Sequence, residues 1–459
     1  MNIAAEPSAD IDTPLAVRLA RSIAAGRRPA FPEAARAKLR LCLLDFLACA
    51  LEAGALPWAR QAAALADGEG GRCTIVGSAR RATAGDAAFA NGVAGHGLVR
   101  EDMHPGAVSH FGVVVLPALL AVAEERGLSG AAFTDAAIVG YEVGARIGRA
   151  LVTPAFTRSF RPTGFTGPIA AAAGLGRLLG LDEAETASAI ALAANMTGGL
   201  NEWPHTGADD MYFHAGQAAA NGVRAARLAQ SGARGSERAL DGEAGLLRAY
   251  RPDRTVPEVR LFDGAEPEIT AVYFKAAPVC NFAQTPCQAA LAVALEERPD
   301  PARIAAVVVR VSEAARSYPG CDHAGPFERV LQAKMSIQFA VASALLRGKV
   351  DEASYGDLDD AALIRLAGLV IVAADRDLTA AFPAAQGAEV AVTLDDGRTL
   401  VRRLADVVPA DSALIRRRFA AAATAFAGTD RAAALEAAVD GLDTVADVGA
   451  LMRLAAAPA

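Results

Sequence analysis

Half of the six histidines in this sequence stand between positions 96 and 110, in the stretch HGLVREDMHPGAVSH. His96, His104 and His110 share it with Glu101 and Asp102. An imidazole titrates near neutral pH and serves as proton donor or acceptor, and a neighbouring carboxylate tunes which of the two it does. The next residues, VVVLPALLAVA (113–123), are apolar. The polar cluster therefore sits at the foot of a hydrophobic helix.

Four further segments carry candidate chemistry. RSFRPTGFTGP (158–168) sets Arg161 and Thr163 at the start of a helix. A guanidinium, a hydroxyl and free backbone N–H groups together suit a carboxylate. GLNEWPHTGADDMYFHAG (199–216) offers Trp203, His205, Asp209, Asp210 and His214 as further contacts. In YFKAAPVC (273–280), Lys275 lies among apolar neighbours, either a surface charge or an anion clamp reaching into an interdomain cleft. RSYPGCDH (316–323) adds Tyr318, Asp322 and His323. All are loop-like, and loops on a rigid scaffold are where function concentrates.

Other chemistries find no support. GLGRLLG (174–180) lacks the GxGxxG spacing and follows no strand, and no Walker loop, GxSxG elbow or HExxH motif occurs. The histidines, aspartates and cysteines follow no metal-ligand spacing, so no metal is expected.

The elements that position these residues are mostly helices. AARAKLRLCLLDFLACALEAG (34–54) has apolar residues at three- and four-residue spacing, and SGAAFTDAAIVGYEVGARIGRAL (129–151) opens on a serine cap. The second helix places Gly140, Gly144 and Gly148 on one face, where another helix can approach. Near residue 265 the character changes. RIAAVVVRVSEAA (303–315) reads as a strand, AEVAVTLDDGRTLVRRL (388–404) as a hairpin around Asp-Gly, and AKMSIQFAVASALLRGKV (333–350) as one helix between them. Residues 410–455 return to alanine-rich helices. The expected fold is mainly α, with a small α+β domain at 268–402.

Composition sets the class. The chain has 459 residues, 53% of them hydrophobic, which implies a globular protein of more than one domain. Its net charge of −7 and the absence of a basic run argue against a nucleic-acid partner. No stretch reads as a secretory signal or a membrane span, and six cysteines without a CxxC pair suit buried thiols. The expected location is cytoplasmic.

Taken in order, these segments resemble the MmgE/PrpD family. The carriers are NGVAGHGL, ED, His104, His110 and VLPA; then GYEVGARIG, FRPTGFTG and HAG; then KAAPVC and the later S…AL…G…V stretch. The resemblance implies a large helical domain made of residues 1–267 plus 403–459, with an inserted α+β lid at 268–402. It implies a homodimer that needs no metal or organic cofactor and takes a small di- or tricarboxylate between its domains. By position, His110, Lys275 and Asp102 match family site residues, and Tyr318 matches a lid tyrosine. Three positions depart: Val99 stands for an aspartate, Arg161 for a histidine and Met211 for a lysine.

The chemistry shared by such substrates is proton transfer at the carbon next to a carboxylate. His110, Lys275, Asp102 and Tyr318 are the expected catalytic residues, with Arg161, Thr163, His104, His205 and His214 binding substrate. A dehydratase-like lyase is the leading expectation. Alternatives are an isomerase or epimerase of a dicarboxylate, a decarboxylase, and a non-catalytic carboxylate binder.

Overall fold

The computed structural model describes residues 12–25, 31–66, 71–264 and 266–457. Its helices are built around Gly112–Arg126, whose first twelve residues are all buried. That explains a helix with no polar face: apolar on every side, it is covered on every side. Ala84–His96, Gly130–Leu151, Pro162–Leu179 and Asp210–Gln230 pack around it.

Small residues set how close these helices come. Ser129 caps Gly130–Leu151, its hydroxyl accepting from the Ala132 N–H. At Gly144 an added Cβ would stand 2.5 Å from the Phe111 ring and 2.8 Å from Ala170. The crossing with Pro162–Leu179 therefore depends on bare backbone there, and even an alanine forces the overpacking that costs about 1–3 kcal/mol.

The α+β part carries a four-stranded sheet in the order Val370–Ala374, Ile304–Val311, Ala388–Leu394, Thr399–Leu404. The first pair is parallel, with Val309 opposite Val372; the other two are antiparallel, with Val309 opposite Val390 and Val392 opposite Leu400. Ala388, Val390, Val392 and Leu394 are buried in strict alternation, and this face packs on Gln284–Glu296. The hairpin turns at Gly397, whose φ of 85° suits a residue without Cβ.

Two details differ from expectation. The helix read across 333–350 is broken: Val330–Met335 ends, and Ser336 caps Ile337–Arg347 by accepting from the Phe339 N–H. The strand Val370–Ala374 is an addition, its short apolar run finding a β partner only in the tertiary fold.

After the sheet the chain returns to the helices. Ser412–Ala427 places Ile415, Phe419 and Ala423 on one buried stripe, laid along Glu33–Ala53. Val448–Ala455 reaches Gly112–Arg126. Among the described residues no helix is long and apolar enough to cross a membrane.

Candidate active site

Glu101 is the centre of the polar cluster. One of its oxygens, Oε1, lies 2.8 Å from His96 Nδ1, 3.0 Å from His110 Nδ1 and 3.8 Å from Lys275 Nζ. All four side chains are buried. Burial alone pushes the Glu101 carboxyl up, but His96, Lys275 and His110 outweigh it and hold the group well below its ordinary range. It is a carboxylate.

The tautomers of both imidazoles follow from donor counting. Arg161 Nη2 lies 3.2 Å from His96 Nε2, and a guanidinium only donates, so His96 Nε2 accepts and its Nδ1–H points at Glu101. His110 Nδ1 faces two acceptors, Glu101 Oε1 and the Asp102 carbonyl oxygen at 2.9 Å, so it too carries the hydrogen. His110 Nε2 is left with a lone pair and no hydrogen-bond partner among the described residues. Burial, then Lys275, holds the His110 pKa well below the usual imidazole value, so the ring is neutral. Behind it, Thr163 Oγ1 accepts from the His110 N–H at 3.1 Å and fixes the backbone.

His110 borders a small, tight cavity, also lined by Arg161, Lys275, Cys280, Asn281 and Tyr318. Arg161 is buried and has no carboxylate partner among the described residues; its Nε makes no hydrogen bond there. A buried guanidinium without a counter-ion is costly unless a ligand supplies one. Lys275 donates to the Val99 carbonyl oxygen at 3.0 Å, and burial lowers its pKa against the pull of Glu101.

Tyr318 brings a proton to the same cavity. The Asn201 amide is oriented by Trp203 Nε1–H, which donates to its Oδ1, and by the Thr157 carbonyl oxygen, which accepts from its Nδ2. Asn201 Nδ2 then donates to the Tyr318 hydroxyl oxygen at 3.3 Å, leaving the phenolic hydrogen free. Burial raises the Tyr318 pKa, which keeps that hydrogen in place.

The backbone is strained beside this cavity. Val99 has φ 58° and Val108 has φ 48°, the left-handed region that β-branched residues avoid. Both valines line the cavity. Such strain, of order 1–3 kcal/mol per residue, collects at functional sites. A wider cavity adjoins this one and shares Val108 and Asn281 with it. Its lining lacks His110, Arg161 and Lys275, which border the inner one.

The remaining expected residues lie elsewhere. The Asp102 carboxylate turns into the scaffold. Oδ1 accepts from the Gly112 N–H at 3.0 Å and Oδ2 from the Tyr141 hydroxyl at 2.6 Å; only its carbonyl reaches His110. A Cβ at Gly112 would sit 2.8 Å from that carboxylate, so this contact needs glycine. Burial raises Asp102 to about 6. His104 is buried against Glu268 at 2.9 Å, itself held by Arg149, and lies outside the cavity lining. His205 is exposed on the short helix Trp203–Thr206. His214 is half-buried outside the lining, its pKa lowered to about 4 by burial and by Arg161. In the sequence His96 and Glu101 stand out as members of the polar cluster, but neither is marked there as a catalytic or binding residue. The histidine–glutamate spacing across the turn was the available signal, and Asp102 competed with it one position along.

This placement carries a prediction. Asp102→Ala removes two hydrogen bonds at a helix start and is expected to cost about 3 kcal/mol of stability. Because that carboxylate is outside the cavity, kcat/KM of the surviving folded fraction is expected to change less than tenfold. Thermal unfolding and steady-state kinetics on one preparation check both.

A mainly helical body and an α+β part thus both line one buried cavity, at which His110, Arg161, Lys275 and Tyr318 meet. The N-terminal domain of MmgE/PrpD matches residues 17–258 and the C-terminal domain residues 277–444, and the chain belongs to that family. The cis-aconitate decarboxylase-like protein oryM of Aspergillus oryzae is 36% identical over 213 residues, 44% of either chain. A cis-aconitate decarboxylase of Aspergillus terreus is 24% identical over 452 residues, 92% of this chain and 91% of that one. The Homo sapiens cis-aconitate decarboxylase is 34% identical over 170 residues, 36% of this chain and 34% of that one.

Proposed function

We propose that this chain is a lyase that acts on a small polycarboxylate through a carbanion next to a carboxylate. The observation that carries this reading is the bare His110 Nε2, backed by Glu101 and bordering the same cavity as the unneutralised Arg161. Nε2 takes the proton from substrate carbon. Negative charge moves into the adjacent carboxylate, where Arg161 and Lys275 stabilise it; preplaced charge of this kind is often the largest catalytic contribution. Tyr318 gives its hydrogen to a departing hydroxide, which leaves as water. The reaction is a dehydration.

The relatives favour a second reading. Proteins named cis-aconitate decarboxylases align over most of the chain. In a decarboxylation the same carbanion arises by loss of carbon dioxide, and Tyr318 then protonates carbon.

A panel of hydroxy-, amino- and unsaturated di- and tricarboxylates, followed by NMR in D2O, tests the proposal. Release of water supports the dehydratase and release of carbon dioxide the decarboxylase. Exchange of a carbon-bound proton without release points to an epimerase. Binding with neither exchange nor release sinks the proposal and leaves a carboxylate-binding protein. Within that assay, Tyr318→Phe is expected to lower kcat on the order of 100-fold with little change in KM, because the lost hydrogen matters only as bonds break.

A further inference from the structure

The cavity holds less positive charge than a tricarboxylate demands. Lys275 lies 3.8 Å from the Glu101 carboxylate, so that pair is nearly neutral together. His96 is neutral because its Nε2 accepts from Arg161, and burial together with the nearby Lys275 keeps His110 uncharged. Arg161 is the one lining cation without a carboxylate partner among the described residues. Much of the remaining lining is apolar: Met103, Met211, Met335, Val99, Val108 and Phe282. None of these neutralises a carboxylate, and an anion pressed against them loses its water without replacement. Unbranched thioether side chains instead adapt their shape to an alkyl group.

We propose that the substrate is a dicarboxylate bearing an apolar arm, and that Met103, Met211 and Met335 receive that arm. One carboxylate pairs with Arg161. The other takes the remaining Lys275 N–H, the two other hydrogens being directed at Val99 and Glu101. The inference rests on the carboxylate lyase reading above and narrows its substrate.

Two acids of the same heavy-atom skeleton test it. cis-Aconitate carries a carboxymethyl group where 2-isobutylmaleate carries an isobutyl group. Calorimetry on the wild-type protein is expected to show 2-isobutylmaleate binding on the order of 100-fold tighter, the discrimination available to a site whose wall leaves a polar group unmatched. Met211→Lys, which keeps an unbranched chain but ends it in a charge, is expected to reverse the order; Met211→Leu is expected to keep it. Equal or tighter binding of cis-aconitate by the wild type overturns the inference, as does binding of neither acid. The wild-type comparison stands even if Met211→Lys does not fold. Turnover of both acids in D2O separates the two claims. The expected binding order without proton exchange sinks the lyase reading alone. Rapid turnover with cis-aconitate preferred sinks this inference alone.

Discussion

His110→Ala is expected to lower kcat/KM on the order of 1,000-fold while leaving the fold intact, as removal of a positioned general base does. The change deletes Nε2 and also the Nδ1–H that faces Glu101, but Glu101 keeps His96 and Lys275, and Thr163 still accepts from the backbone N–H of residue 110. Dissociation constants for substrate-like acids are expected to stay within about tenfold, because Arg161 and Lys275 remain. The pH profile provides a second check. The base works only as neutral imidazole, and its folded pKa lies well below the usual value, chiefly through burial. The acid limb of kcat/KM is therefore expected below about pH 6.5, the ordinary imidazole midpoint. An acid limb above that value, or wild-type rates in His110→Ala, removes His110 from the role of base.

Glu101→Gln carries the largest expected loss of stability. The variant is isosteric, yet it leaves the Lys275 ammonium buried without its counter-ion. Removing one partner of a buried pair costs roughly 3–5 kcal/mol. The Gln oxygen can still accept an imidazole N–H, but without charge, so kcat is expected to fall as well. The double variant Glu101→Gln/Lys275→Met is expected to recover much of the stability and none of the activity. The pH dependence has a definite sign. The folded Glu101 pKa is depressed below its unfolded value, so its contribution is present above the unfolded pKa, near 4.5, and fades as pH falls toward the folded one. Glu101→Gln is expected to flatten the stability curve in that acid window. Equal chemical-denaturation curves for variant and wild type would show that the Glu101 charge carries no such burden.

The helices and the hairpin were legible because their signals are local: the Ser129 cap, the apolar spacing of 34–54, and Asp-Gly before a β-branched strand. His110, Arg161, Lys275 and Tyr318 were legible as polar residues in loops, and the fold brings them around one cavity. The choice between Glu101 and Asp102 was not. Adjacent side chains diverge, and which one faces the histidines depends on the left-handed turn at Val99 just before them. A valine gives no hint of such a turn, since its branched Cβ disfavours it. The apolar half of the cavity was legible only at Met211, which stands where the family has a lysine; Met103 and Met335 gave no local signal, because only the tertiary fold brings them to the same lining. His205 and His214 show the converse, polar residues beside a candidate loop that the fold leaves outside the lining.

The seating of Ser412–Ala427 on Glu33–Ala53 bears on how the chain is made. It closes a loop of nearly the whole sequence. Closure entropy grows only with the logarithm of length, so the finished protein loses little by this. Synthesis is a different matter. At roughly 5–20 residues per second, the face of Glu33–Ala53 that Ile415 and Phe419 will cover waits about 20–80 seconds for its partner to emerge. Throughout that interval an apolar helix face stays open to chaperones or to other nascent chains, and a ribosome that stops early leaves it so.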